Sequence, residues 1–549
     1  MEKRIKGLHS LLPNSEEFFY SILIPVYRPD PKFFEKALRS AFKQSAPHCE
    51  ILLGFDGPQP LEIKLIAEKF QKLETDQTPQ IRIVEIDREK AGGGISNTTN
   101  VLAKEAKGNF LLLMDHDDWI SPDLLYRYEQ CLRLFQDRNN VVLYCDEYKI
   151  DQFDSPILYS YTTKPQQPVF PYVFVNFICH CLLIPKNLWI RTGGLRPQCD
   201  GAQDYDLCLR LDLVGAQFQN IPFYLYAWRS HAGSTAKNPE AKNYASAAGV
   251  KALADYCQAK GLDWNVSDGY IPTTYRAVPR KSSKVPVQIV IPFKDQKKLT
   301  LSAVKSVLNQ KGVEVFITAA DNRSEDRSIS EELKKLGVEV LRIDEPFNYS
   351  RINNLSVKNS RFSSKCPQVL FLNNDVDLDV NAIAEMTQWL GEPHIGMVGA
   401  RLHYPDGTLQ HGGVQLKMDF PTFKMGWGHV DWHCPPDKLG FSKVISICDA
   451  VTAACVLMER ENFLKVGGFD EIWYPIAFSD TDLAVKFRTR LGLHSLYTPY
   501  AFGTHHESAS RGPGIHEEME SSTWLFRNTE FRDIPQARLR HSVFPNKNI

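Results

Sequence analysis

Ser21–Pro25 (SILIP) and Val287–Pro292 (VQIVIP) are short, apolar, β-branched runs ending in proline, the pattern of a buried strand. Each leads into a stretch with helical spacing, Phe33–Lys43 (FFEKALRSAFK) and Leu299–Asn309 (LTLSAVKSVLN). Pro25 and Pro292 are 267 residues apart. A second pair of apolar runs ends in acid: Ile51 to Asp56-Gly57, and Val315 to Asp321-Asn322. A third pair is capped by carboxylates, Leu111–Met114 by Asp115-His-Asp117-Asp118 and Val369–Leu372 by Asn373-Asn-Asp375-Val-Asp377.

The order continues. Gln203-Asp204-Tyr-Asp206-Leu matches Ser479-Asp480-Thr-Asp482-Leu, each after a Gly-Gly pair (Gly193-Gly194, Gly467-Gly468). Arg229-Ser-His231 parallels His505-His506. Matching Asp117 with Asp377 gives an offset of 260, and the other pairs fall between 265 and 276. These features, repeated in one order, predict two copies of one α/β domain. The expected boundaries are 1–275, a basic, Ser- and Pro-rich linker at 276–286, and 287–549 with a helical stretch near its end. Strands alternating with helices predict mostly parallel sheets covered on both faces, with ligands at the carboxyl ends of the strands.

Those ends carry the acidic clusters. In extended chain, residues i and i+2 share a side, so Asp115 with Asp117, and Asp375 with Asp377, can converge on one point. A divalent cation relieves the repulsion between two such carboxylates, and hard oxygen ligands suit Mg²⁺ or Mn²⁺. A histidine tilts the choice toward Mn²⁺, with His231 and His505 as candidates. Asp204 and Asp480 open helical stretches, where a carboxylate either caps the helix or serves as a general base. Residue type leaves both roles open. Asp56 and Asp321 are candidates to hold a base or ribose, though Asp-Gly and Asp-Asn are also turn formers. Gly92-Gly93-Gly94, with Ser96 and Asn100 following, can bring backbone close to a phosphate; it is not a dinucleotide fingerprint.

Composition narrows the class. The chain has 549 residues, with 64 Lys+Arg against 65 Asp+Glu. This balance excludes a nucleic-acid protein held by a broad basic face. No apolar run is long enough to span a bilayer, and no secretory signal is evident at the start. The twelve Cys lack a C-x-x-C pair and read as reduced, mostly buried thiols, neither a disulfide frame nor a zinc site. Cytoplasmic location follows.

With these residues assembled, both halves resemble family-2 glycosyltransferases of the GT-A fold. The first half carries SILIPVYRPD, KAGGGISNTTN, LLLMDHDDWISPDLL, DGAQDYDLCLRL and YAWRSHAGSTA. The second carries VQIVIPFKDQ, DNRSED, FNYSRINN, VLFLNNDVDL, VGARLHYPDGTLQHGGV, VGGFDE, FSDTDLAVKFR and HHESASRG. The likeness is strongest to bacterial tandem enzymes of O-antigen or rhamnan-type surface polysaccharide synthesis. It implies an α/β chain of two tandem GT-A domains, Rossmann-like with mixed, mostly parallel sheets. It implies a bifunctional, inverting, metal-dependent hexosyltransferase that moves sugars, rhamnosyl by analogy, from nucleotide-sugar donors to a glycan or lipid-linked glycan. Asp56, Asn100, Asp115, Asp321, Asn354 and Asp375 would face the nucleotide-sugar. Asp117, His231, Asp377 and His505, with His506 as the alternative to His505, would hold one Mn²⁺ or Mg²⁺ per domain. Asp204 and Asp480 would be the catalytic bases. Phe55-Asp56-Gly-Pro departs from the usual double Asp, and Gln203 and Ser479 replace a frequent Glu. A lipid-linked acceptor would require peripheral contact at the inner face of the cytoplasmic membrane; the short basic start (Lys3, Arg4, Lys6) reads as a solvated terminus. The competing arrangement is one catalytic domain beside a non-catalytic acceptor-binding scaffold. A nucleotidyltransferase or nicotinamide enzyme lacks its Gly-rich loop here.

Overall fold

The structure, a computed structural model, describes residues 18–506 except 47, 159, 232–238, 282–284 and 420–423. The basic start and the helical stretch near residue 520 lie outside the described residues. The chain divides into two compact units, one ending at Tyr275 and the other beginning at Arg276. The expected linker is structured at its start, because Tyr275–Pro279 is a strand.

The first unit is an eight-stranded sheet. In chain order its strands are β1 (Tyr20–Val26), β2 (Cys49–Asp56), β3 (Gln80–Ile86), β4 (Phe110–Leu113), β5 (Trp119–Ile120), β6 (Val141–Ile150), β7 (Leu183–Pro185) and β8 (Gln217–Arg229). They lie in the order β3-β2-β1-β4-β7-β6-β8-β5. The first four are parallel, β7 is antiparallel to both β4 and β6, β8 runs parallel to β6, and β5 is antiparallel to β8. All of Ile22, Leu23 and Ile24 on β1 are fully buried, as a strand covered on both faces requires. One cover is the helix Pro31–Phe42, capped by the Asp30 side chain accepting from the Lys32 amide. It buries Phe34, Ala37, Leu38 and Ala41 at helical spacing against the sheet.

The second unit repeats this frame. After β9 (Trp264–Asp268) and β10 (Tyr275–Pro279) come β11 (Val287–Phe293), β12 (Val315–Asp321), β13 (Glu339–Arg342), β14 (Gln368–Leu372), β15 (Val376–Leu378), β16 (Ile395–His403), β17 (Leu409–His411), β18 (Val414–Asp419), β19 (Lys424–His429), β20 (Ser446–Cys448), β21 (Cys455–Glu459) and β22 (His494–His505). The path is β13-β12-β11-β14-β21-β16-β22-β15, with the same alternation of parallel and antiparallel neighbours. Strand β17 is added to β16, β20 to β22, and β18 pairs with β19 in a separate hairpin. The halves differ most in the segment before β7 and β21. It has no named strand in the first unit and contains β17 to β20 in the second.

Register refines the repeat. Tyr20 faces Phe110 across β1 and β4, and Val287 faces Gln368 across β11 and β14. Carrying that frame forward, Asp117 corresponds to Asp375, not to Asp377, and Asp115 corresponds to Asn373. Val26 faces Phe55, and Phe293 faces Asp321, so Asp321 stands where the first half has Phe55. String similarity between the two halves is therefore two residues out at the acidic clusters and one out at the second strand.

Candidate active site

Asp115 and Asp117 follow β4 at its carboxyl end, where the chain leaves the sheet. Asp117 Oδ2 lies 2.9 Å from His231 Nε2, which is just beyond β8. The buried Arg229 backs this pair: its Nε donates to the Asp117 carbonyl at 2.7 Å, and its guanidinium lies 4.7 Å from the centre of the Phe33 ring. The neighbouring Asp118 is buried and accepts from Tyr226 Oη and from the Arg229 amide. Burial, then the charges of Asp115 and Asp117, push its carboxyl well above the usual range. Burial also raises Asp115.

The two acids of the Asp-x-Asp helix starts separate. Asp206 is buried and held by Arg196 and Arg210. Asp482 pairs with Lys486 at 2.7 Å. These are structural anchors. Asp204 and Asp480 instead use one oxygen locally, each Oδ1 accepting the next residue's amide, from Tyr205 at 2.9 Å and Thr481 at 2.8 Å. Their Oδ2 atoms face the loop before β7 or β21. Cys179 Sγ donates to Asp204 at 2.7 Å, and the Ala453 amide donates to Asp480 at 3.0 Å. Asp204 shares a pocket with Asp115, Cys179, His180, Leu23 and Pro25.

In the second unit Asp375 Oδ1 is 3.2 Å from His505 Nε2, and this pair is nearly buried. Asp377 Oδ2 meets His506 Nε2 at 3.1 Å, and that pair is about one-third exposed. The sequence expectation joined Asp377 with His505, or with His506 as the alternative; the structure pairs Asp377 with His506 and gives His505 to Asp375. Behind the site, His411 Nε2 accepts the Thr452 amide at 3.4 Å, and its Nδ1 meets His429 Nδ1 at 2.9 Å. Burial, then His429 and His505, hold His411 well below the usual histidine range, so it is neutral.

Asp56 and Asp321 end β2 and β12, and both are buried against an arginine. Arg88 grips Asp56 through Nε and Nη2 at 2.7 and 3.0 Å, and the Gly94 amide adds a third donor. Asp321 accepts from the Ser324 amide, Ser330 Oγ and Arg342 Nη1. Burial opposes its ionisation, but Ser324 and Arg342 outweigh that and leave its carboxyl below the usual range.

Asn100 and Asn354 are corrected as ligand-facing residues. Asn100 receives the Leu195 amide and donates to its carbonyl, both at 2.8 Å. Asn354 does the same with Phe469, at 3.1 and 2.9 Å. Each thereby latches the turn made by the preceding glycine pair. A Cβ on Gly194 would come 2.4 Å from Asn100 Oδ1, and one on Gly468 would come 2.6 Å from Asn354 Oδ1, so only glycine fits. Both glycines also hold positive φ, at 74° and 69°.

Sequence reading missed one network. Cys179 and His180 lie in the loop before β7. Lys164 Nζ donates to Glu147 Oε2 and to the His180 carbonyl, both at 2.7 Å, and the His180 amide donates to Glu147 at 2.9 Å. Burial opposes the charge on Glu147, but Lys164 and His180 hold its carboxyl at about 2. Burial disfavours the imidazolium of His180, but the hydrogen bond and charge of Glu147 raise it to about 9. The sign follows. Stability from Glu147 is full above the ordinary carboxylate range and is lost as pH falls through about 2; that from His180 is full below its ordinary range and is lost as pH rises through about 9. Glu147→Gln strands the buried Lys164 and is expected to cost about 3–5 kcal/mol, read as a fall in the unfolding transition of the first unit. Glu147→Leu with Lys164→Met should recover most of it. Equal losses in the single and double variants would show that pairing is not what stabilises the network.

The donor sets at Asp117–His231 and Asp375–His505 fit a hard divalent cation. Each offers a carboxylate oxygen and an imidazole nitrogen at one point, and the buried Nδ1 of His505 has no hydrogen-bond partner among the described residues. Among the described residues, the set of three whose ligand atoms lie within 4.8 Å of one another is a different one: Cys179, His180 and Asp204. No helix among the described residues is long and apolar enough to cross a membrane.

An uncharacterised protein, y4gI of Sinorhizobium fredii, is 33% identical over 92% of this chain and 55% of its own length. The O-antigen biosynthesis protein RfbC of Myxococcus xanthus is 29% identical over 89% of this chain and 37% of its own length. The chain thus spans about half or less of these two relatives. Among solved structures, GalNAc-T7 with UDP, GalNAc and Mn²⁺ aligns over 49% of this chain and 52% of its own, with a TM-score of 0.34 and 15% identity. Residues 21–188, which hold Asp56, Asp115, Asp117 and Cys179, match the family described as glycosyl transferase family 2. The chain therefore carries, in its first half, a domain of glycosyl transferase family 2.

Proposed function

We propose that each half transfers a glycosyl group from a nucleoside-diphosphate sugar to a hydroxyl of a growing surface glycan, with inversion at the anomeric carbon. One observation carries this reading. Both units place a carboxylate–imidazole pair after the fourth strand and an aspartate with a locally fixed Oδ1 at a helix start. The family match of residues 21–188 and the similarity to RfbC, an O-antigen biosynthesis protein, support the substrate class.

In this reading Asp117 with His231, and Asp375 with His505, hold a divalent cation. When bound, the cation neutralises charge on the leaving diphosphate. Asp56 and Asp321 fix the nucleoside side through their arginine-braced loops. Asp204 or Asp480 accepts the proton of the acceptor hydroxyl as its oxygen bonds to the anomeric carbon and the bond to the diphosphate breaks. Attack from the face opposite the leaving group inverts the centre.

The second half has Asn373 where the first has Asp115, which favours a secondary reading in which the second unit binds acceptor without transferring sugar. The test is transfer by the full chain from UDP-, dTDP- and GDP-sugars with Mn²⁺, reading nucleotide release and product configuration by NMR. Products opposite in configuration to the donor are expected; retention would overturn the single displacement. Two new linkages support two active halves, and one supports the secondary reading.

A further inference from the structure

Asp204 and Asp480 sit alike in the fold but among different neighbours. Leu112 faces Leu183 and Leu370 faces Leu457, so Cys179 and His180 correspond to Ala453 and Ala454. Among the described residues, a thiol and an imidazole gather within metal-ligand reach of this aspartate in the first half only.

We propose that Cys179, His180 and Asp204 form a site for a soft divalent cation, zinc foremost, which silences the first half by occupying the Asp204 carboxylate. The silencing rests on the function proposed above; the binding does not.

Thiolate, imidazole and carboxylate are a zinc donor set, and three protein ligands leave a fourth position for water. The three ligand atoms lie within 4.8 Å of one another, whereas zinc bond lengths in a tetrahedron need about 3.3–3.8 Å between ligands, a change within side-chain reach. The surroundings are built for it. Asn176 Nδ2 donates to Cys179 Sγ at 2.9 Å and aims the sulfur. His180 Nδ1 faces Glu147 Oε2 at 3.4 Å, which leaves Nε2 for the metal and supplies the carboxylate that orients a zinc-bound histidine. The thiol proton now given to Asp204 and the ring proton of His180 leave to solvent as the cation takes their places. Softness separates this site from the pair at Asp117 and His231. Sulfur prefers zinc or cadmium, and carboxylate oxygen prefers manganese or magnesium.

The experiment titrates the full chain with Cd²⁺ in excess Mn²⁺ and follows the ultraviolet thiolate-to-cadmium absorption. One equivalent is expected to bind, Cys179→Ala should abolish the band, and His180→Ala should weaken binding at least tenfold. Ala453 already occupies the matching position in the second half, so Cys179→Ala introduces a residue that this fold accepts. No band, or a band unchanged in Cys179→Ala, overturns the site. Micromolar Zn²⁺ should then stop the transfer that depends on Asp204 in the wild type and leave it running in Cys179→Ala. Cadmium bound at Cys179 with that transfer undiminished by Zn²⁺ overturns the silencing alone. Transfer insensitive to Asp204→Asn would instead refute the functional reading and leave the metal site standing.

Discussion

Asp204→Asn is expected to lower the transfer made by the first half by about 10²–10⁴-fold, and Asp480→Asn that of the second. The geometry makes the substitution clean. The Asn carbonyl can still accept the Tyr205 amide that now bonds Oδ1, so the helix start keeps its form. What disappears is a carboxylate able to take a proton. The loss should fall on kcat, with the donor KM nearly unchanged. Asp206→Asn is the contrasting variant: it leaves Arg196 and Arg210 without their buried partner, so its cost should appear in stability before it appears in the proton-transfer step. Rates unchanged in both Asp204→Asn and Asp480→Asn would remove these residues from the chemistry.

The second large effect is on nucleotide stoichiometry. Calorimetric titration of the wild type with UDP, and separately with dTDP and GDP, in Mn²⁺ is expected to give two sites per chain for a nucleotide used by both halves. Asp117→Asn and Asp375→Asn should each remove one, through a loss of metal affinity on the order of 100-fold. Asp377→Asn decides the register. Asp377 pairs with the more exposed His506 and corresponds to Trp119 in the first half, so its replacement should leave both sites. Two sites retained in Asp375→Asn and one in Asp377→Asn would reverse the assignment.

Much of the frame was legible because apolar runs buried on both faces leave little freedom. Ile22 to Ile24 and Ile289 to Ile291 announce central strands, and the glycine pairs mark the turns before the Asp-x-Asp helices. The acidic clusters were legible as strand-end features, but their alignment was not. The eye matches Asp-x-Asp with Asp-x-Asp, whereas hydrogen bonding across β1–β4 and β11–β14 matches Asp117 with Asp375. Asn100 and Asn354 looked like ligand-facing amides because nothing in a sequence shows that both ends of an amide are taken by one distant backbone residue. Lys164, Glu147 and His180 escaped for a related reason. They converge from β6 and from an irregular loop, and no periodicity marks a charge that will be buried beside its counter-ion.

The segments preceding β7 and β21 leave and re-enter sheets of the same pairing, yet they share neither length nor strands. They behave as cassettes in a duplicated chassis. After a duplication, the sheet must keep its register or lose its core, while a loop anchored at both ends is free to drift. Each cassette ends on the loop that touches Oδ2 of Asp204 or Asp480. Drift there alters what lies beside the aspartate without moving the aspartate itself, a route by which one ancestral domain yields two halves with separate tastes.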